Sequence, residues 1–146
     1  MSKFRKSSHV VYHCLYHIVW CPKYRYRVLN GMIANFVEKG IRKICSWKNV
    51  VVVELSIMPD HVHVILDIPP KYSVAYIIGM TKGKVAIKLF KNFPKVRLKT
   101  YWGNHFWSRG YCVSTIGLDE DKIRKYVKYQ EDNDKQEEQS QKEFNF

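Results

Sequence analysis

His61 and His63 stand one residue apart at the head of a run of mostly β-branched residues, His-Val-His-Val-Ile-Leu. Side chains alternate across a strand, so both imidazoles leave the same face. Their Cα atoms lie about 6.5–7 Å apart at the strand rise. Both rings can then converge on one ion, while Val62, Val64 and Leu66 fill the opposite, core-facing side. An ordinary half-exposed histidine pair fits the same spacing. A His-x-His pair is also two ligands, and a metal site needs at least one more. A second pair of residues lies near the C-terminus, where Tyr126 and Gln130 are one helical turn apart. The Gln130 amide oxygen can be the third ligand, and Tyr126 can lie beside the ion as a nucleophile. Two imidazoles, an amide oxygen and open positions suit Mg²⁺ or Mn²⁺ bound together with a phosphate oxygen, the imidazoles tilting the choice towards Mn²⁺. The pattern does not match the helical H-E-x-x-H of metalloproteases, whose histidines are further apart. Asp60 either orients an imidazole from behind or only closes the turn before the strand.

The elements that must position these groups follow from periodicity. Val10 to Trp20 reads as a first strand, apolar on both faces, and residues 1–9 as a polar, basic, mobile lead-in. Ile33, Phe36, Val37, Ile41 and Ile44 recur at helical spacing between Asn30 and Lys48, with Gly40 a weak point. Val50 to Ile57 is a second strand, and the Pro59-Asp60 turn makes it a hairpin with the histidine strand. Ser73 caps a second helix with Val74, Ile77, Ile78, Thr81, Val85 and Leu89 inward. Residues 95–110 read as a long loop, Tyr111 to Ile116 as a fourth strand. Asp119-Glu120-Asp121 opens a third helix carrying Ile123, Tyr126, Val127 and Gln130 on one face. The order β-α-β-β-α-β-α is the split, ferredoxin-like α+β pattern: a four-stranded antiparallel sheet, two helices on one face and an additional C-terminal helix. One domain over residues 1–130 and a flexible charged tail over 131–146 are expected.

Charge narrows the partner. The chain has 146 residues and a net charge of +12. Glu131 onward holds six acids and two lysines, which leaves the first 130 residues at +16. Such a balance suggests a polyanion, nucleic acid before an anionic membrane surface, and the interleaved aromatic residues favour nucleic acid. Tyr24-Arg25-Tyr26-Arg27 after Lys23 reads either as a solvated edge or as stacking rings beside phosphate-binding arginines. Lys84, Lys88, Lys91 and Lys95 form a row with no acid between Asp67 and Asp119, which reads as a phosphate-tracking ridge. Arg109, in a loop rich in aromatic residues, joins these candidates, and His17 and His105 read as structural or DNA-contacting. No run of about 18 apolar residues exists to span a membrane. The N-terminus lacks the apolar region of a signal peptide, and the four cysteines form no C-x-x-C pair, so reduced cysteines in a cytosolic protein are expected.

The residues together resemble a known family. Asp60-His61-Val62-His63 is similar to the His-hydrophobic-His signature of the HUH nucleases. Tyr16 to Arg25, Phe106 to Tyr111 and Lys125 to Gln130 resemble their single-tyrosine branch, the transposases of IS200/IS605-type insertion sequences. The resemblance covers nearly all of residues 10–130. It implies cleavage of single-stranded DNA near imperfect hairpins at an element's ends, through a 5′-phosphotyrosine at Tyr126 and a divalent metal at His61, His63 and Gln130. It implies rejoining by the freed 3′-OH, and a homodimer of edge-joined sheets in which one subunit's tyrosine helix completes the other's histidine site. It also implies a cytoplasmic, nucleoid-associated prokaryotic protein. Tyr129 competes with Tyr126, but its own i+4 residue is Asn133, so the Gln spacing favours Tyr126. Two other readings stay open: a non-catalytic single-stranded nucleic-acid-binding module on the same fold, which leaves the His-Val-His and Tyr-x-x-x-Gln arrangement to chance, and a domesticated single-tyrosine relative that processes chromosomal repeat hairpins.

Overall fold

The computed structural model describes residues 4–97 and 105–115, together with Asp132 and Gln136. Described residues 14–115 form one compact unit, and residues 4–13 with Asp132 and Gln136 belong to a second. The expected boundary at residue 130, the expected helix with Tyr126, Tyr129 and Gln130, and most of the expected tail lie outside the described residues; Asp132 and Gln136 are helical.

The larger unit is built on a sheet of four strands, β3 (Leu15–Trp20), β4 (Val51–Met58), β5 (His61–Asp67) and β6 (Cys112–Thr115), in the order β4-β5-β3-β6. Every neighbouring pair is antiparallel. Two helices, α1 (Gly31–Trp47) and α2 (Val74–Asn92), complete the expected split β-α-β-β-α-β arrangement. Ile18 and Trp20 of β3 and Val62, Val64 and Leu66 of β5 are buried in one core with Val37, Ile41 and Ile44 of α1 and Ile77, Ile78, Val85 and Leu89 of α2. Alternation then sends His61 and His63 to the face without helices. The Pro59-Asp60 turn pairs Met58 with His61, so the hairpin register places the first histidine directly at the turn. Ser73 caps α2 as expected, its hydroxyl oxygen accepting the Tyr76 N–H at 3.0 Å. Gly40 has a packing reason: a Cβ there would lie 3.2 Å from Val85 Cγ2, so the missing side chain lets α1 and α2 close up.

Two expectations need correction. The strand read from Val10 to Trp20 is broken at His13-Cys14. Its first part, β2 (Val10–Tyr12), pairs with β1 (Arg5–Ser7), inside the segment expected to be a mobile lead-in. The break follows from Asp67, whose buried carboxylate accepts the Cys14 N–H at 3.2 Å, while the Cys14 carbonyl accepts the Ile68 N–H. The Tyr24-Arg25 stretch is a turn with left-handed backbone, φ 60° and 54°. The lysine row is also interrupted: α2 stops at Asn92, and Lys95 belongs to a separate short helix, α3 (Pro94–Arg97). Proline lacks an N–H and resists continuing a helix, which accounts for the break.

Candidate active site

The open face of the sheet collects its polar groups around β5. Opposite His63 lie Ser56 of β4 and Val19 of β3, and the diagonal position on β3 is His17. The His17 and His63 rings meet edge-on, centroids 4.1 Å apart, with their Nε2 atoms in direct contact. Both rings are half-buried. His61 points a different nitrogen elsewhere: its Nδ1 lies 2.8 Å from Asp60 Oδ1. The other Asp60 oxygen accepts from Arg25 Nη2 at 3.2 Å. The hydrogen bond from His61, assisted by the Arg25 charge, holds the Asp60 carboxyl below the usual carboxylate range against a smaller opposing effect of burial.

Asp60 combines both contacts that its two candidate roles need. It sits in the turn and also grips the imidazole, leaving His61 Nε2 as the nitrogen able to meet a ligand. A carboxylate behind an imidazole is the usual second layer around a metal-ligating histidine. Arg25 is 70% exposed on its side chain, so the ion pair itself contributes little stability and serves orientation. The left-handed backbone at Tyr24 and Arg25 is uncommon for such residues and is tolerated where the surroundings fix it. Here the fixing bonds are plain: the Lys23 N–H donates to the Phe106 carbonyl at 2.9 Å and the Leu29 N–H to the Pro59 carbonyl at 3.1 Å.

The predicted residues divide between locations. His61 and Arg25 converge through Asp60, His63 meets His17 instead, and Lys23, Tyr24 and Arg27 lie in the segment around Arg25, with Lys23 stacked 5.5 Å over the Tyr24 ring. Residues 105–110, expected as loop, are docked rather than free: Ser108 N–H donates to the Cys21 carbonyl at 2.9 Å, and Lys82 Nζ donates to the carbonyls of Ser108 and Gly110. Burial lowers the Lys82 pKa. Exposed Arg109 lines a cleft of about 340 Å³ with Phe90, Phe106 and Trp107. Lys84, Lys88 and Lys91 belong to α2, on the helix side of the sheet and away from the histidines. Tyr126, Gln130 and Tyr129 lie outside the described residues. Among the described residues no group of three or more His, Cys, Asp or Glu side chains is arranged to hold a metal ion. His17 is the site residue whose place was not read from the sequence. Its odd-numbered parity with Val19 was visible, but the β3–β5 register that brings it to His63 was not.

A family profile described as "Transposase IS200 like" matches residues 10–130. The chain belongs to the IS200-like transposases. It is 40% identical over 139 residues to the transposase for insertion sequence element IS200 of Salmonella typhimurium, covering 95% of this chain and 91% of that one. It is 32% identical over 131 residues to the ISDra2 transposase TnpA of Deinococcus radiodurans, covering 89% and 93%. A crystal structure of a putative transposase from Deinococcus radiodurans superposes with a TM-score of 0.70 at 30% identity over 88% of this chain and 96% of that one. A REP-associated tyrosine transposase bound to a REP hairpin shares the fold, with a TM-score of 0.54 at 16% identity over 88% and 70% of the two chains. The family implies a DNA-cleaving activity for this transposase. Among its described residues no helix is long and apolar enough to cross a membrane.

Proposed function

We propose that this IS200-like transposase cuts and rejoins single-stranded DNA at hairpin-marked ends, with Tyr126 as nucleophile and the histidine face as the metal platform. The observation that carries the reading is the Asp60 grip on His61 beside His63, on an open sheet face of a chain from this family. The relative solved with a REP hairpin supports hairpin DNA as the substrate class.

The donor set fits a divalent cation. His61 offers Nε2 because Asp60 occupies Nδ1, and His63 offers Nε2 once its contact with His17 opens or is shared. His61, His63 and Gln130 would hold Mg²⁺ or Mn²⁺, which when bound draws negative charge from the scissile phosphate and favours the phenolate. The chain's own groups do the rest. Tyr126 Oη attacks phosphorus, an O–P bond forms, and the bond from phosphorus to the 3′ oxygen breaks. The phenol gives up its proton, the 3′ oxygen leaves as a hydroxyl having gained one, and the 5′ phosphate stays on the tyrosine. A free tyrosine has a pKa near 10, so an unassisted phenolate is scarce at neutral pH. The ester keeps the energy of the broken bond, and attack by a 3′-OH on the phosphotyrosine restores a phosphodiester and frees Tyr126. The sheet edges at β4 and β6 offer the surfaces for a homodimer joined edge to edge, in which the tyrosine helix of one subunit serves the partner.

The test is cleavage of end-labelled hairpin DNA from the gene's flanks, with Mn²⁺, with Mg²⁺ and with chelator. Wild-type protein should cut only with metal. His61→Ala should lose cleavage while keeping hairpin affinity within a few-fold. Metal-independent cutting, or equal loss of cutting and binding in His61→Ala, would contradict the assignment.

A further inference from the structure

Beside the turn that carries His61 runs a strap, Lys23 to Arg27, whose rings the reaction above does not use. The strap is tied at both ends. Pro22 bridges to Trp107, and the Lys23 N–H donates to the Phe106 carbonyl. At the far end the Leu29 N–H donates to the carbonyl of Pro59, the residue before Asp60. Between the ties the Arg25 N–H donates to the Pro22 carbonyl at 2.8 Å, and this tight turn leaves Tyr24 and Arg25 in the left-handed region. Such backbone is strained for residues other than glycine, and strain of this kind gathers at functional sites. Its result here is display. Tyr24 is 65% exposed and Tyr26 is also exposed, with their rings 5.5 Å apart at 63°. From the same turn Arg25 reaches Asp60, the carboxylate that holds His61. Met58, directly opposite His61 on β4 and so on the same face, is exposed as well.

An open ring beside a guanidinium suits an unpaired nucleotide. Bases stack on aromatic faces, and the planar fork of arginine takes phosphate oxygens. A base-paired strand cannot use the ring, because its bases are already stacked inside. Lys23 Nζ lies 5.5 Å from the Tyr24 ring centroid, so a cation occupies one side of the ring and a base has the other. Arg25 engages Asp60 through Nη2, and a guanidinium carries five N–H donors, so most of the fork is left for a phosphate. We propose that Tyr24 stacks the unpaired base next to the scissile phosphate, while Arg25 bridges Asp60 and the backbone of the same strand. The inference rests on the single-stranded DNA reading above and adds which base is gripped and by which residues. The strained turn then has a role. It fixes ring and guanidinium beside the Asp60–His61 pair before the strand arrives, so less freedom is lost on binding. Arg25 also ties occupancy to chemistry, since strand and imidazole lean on the two sides of one guanidinium–carboxylate pair.

The experiment is fluorescence anisotropy with full-length protein and chelator, across a salt series, on two labelled DNAs from the gene's flanks. One is the hairpin alone, and the other is the hairpin with its unpaired flanks. In a parallel set each flank base is removed in turn, leaving an abasic sugar. Tyr24→Ala should weaken binding of the flanked DNA about tenfold with the salt slope unchanged, and change binding of the bare hairpin less than about twofold. Tyr24→Phe, which keeps the ring, should bind as wild type. One abasic position, beside the cut, should weaken wild-type binding about tenfold and weaken Tyr24→Ala no further. Tyr24→Gly removes the ring and relieves the left-handed backbone, so it should bind like Tyr24→Ala with no loss of thermal stability. Arg25→Ala should make the log K against log salt slope shallower by about 0.7, the value for one phosphate of a single strand. Equal losses on both DNAs would overturn the proposal. So would a Tyr24→Phe variant as weak as Tyr24→Ala, no abasic penalty beside the cut, or a penalty that Tyr24→Ala retains in full. None of these binding readouts needs metal or cleavage. A protein with this pattern that never cuts would overturn the nuclease reading and leave the Tyr24 stack standing. A protein that cuts while Tyr24→Ala binds the flanked DNA as wild type would do the reverse.

Discussion

With Asp60 on its Nδ1, the His61 ring has one nitrogen left for a ligand and one orientation in which to offer it. Removing that grip should cost function without removing a ligand. Asp60→Ala is expected to lower metal-dependent cleavage about 10–100-fold, with hairpin affinity preserved, as read by single-turnover cleavage beside equilibrium binding. The cysteines give an independent check of the core. Burial pushes the Cys45 thiol up to about 11, whereas Cys112 is exposed. The thiolate is the reactive form. At pH 8, iodoacetamide followed by mass spectrometry should therefore label Cys112 and spare Cys45 until the protein is unfolded. At this scale the sequence was partly legible. The His61–His63 pair could be read from alternation alone, because both residues lie on one strand. His17 could not be placed, because its neighbour depends on register between strands 46 residues apart. Arg25 was legible as a basic residue but not as the partner of Asp60, since that contact needs a left-handed turn that no local pattern announced.

Among the elements, α1 and α2 carry the clearest link from sequence to packing. Gly40 looked like a defect in a helix and is a point of close approach to Val85. Gly40→Leu should overpack this contact and destabilise the protein by about 1–3 kcal/mol in urea denaturation. Ser73→Ala removes the acceptor for the Tyr76 N–H and should cost about 0.5–2 kcal/mol in the same assay. Both helices, their inward stripes and the Ser73 cap were readable because period and cap are local signals. So were the hairpin at Pro59-Asp60 and the order of the four main strands along the chain. The division of the first strand was not readable: Val10–Trp20 is continuously apolar, and it is a side chain 53 residues away, Asp67, that takes the Cys14 N–H and ends the run. The docked segment after His105 was missed for a similar reason. Lys82 and the strand end at Cys21 hold it in place, and both are distant in sequence.

For the whole molecule, the charge of +16 on the first 130 residues should appear as a strong salt dependence of DNA binding, with affinity falling by orders of magnitude between 50 and 200 mM salt. One sheet face carries the histidines, and the helix layer covers the other. The claim on which the account turns is that Tyr126 forms a covalent bond to DNA beside the His61–His63 platform. The most direct measurement is to incubate the full-length protein with Mn²⁺ and a labelled hairpin from the gene's flanks, isolate the denaturant-resistant adduct, and identify the modified peptide by mass spectrometry. The account predicts a 5′-phosphonucleotide on Tyr126, and an adduct absent from Tyr126→Phe and retained in Tyr129→Phe. A modification on Tyr129, or cleavage with no adduct at all, would contradict it.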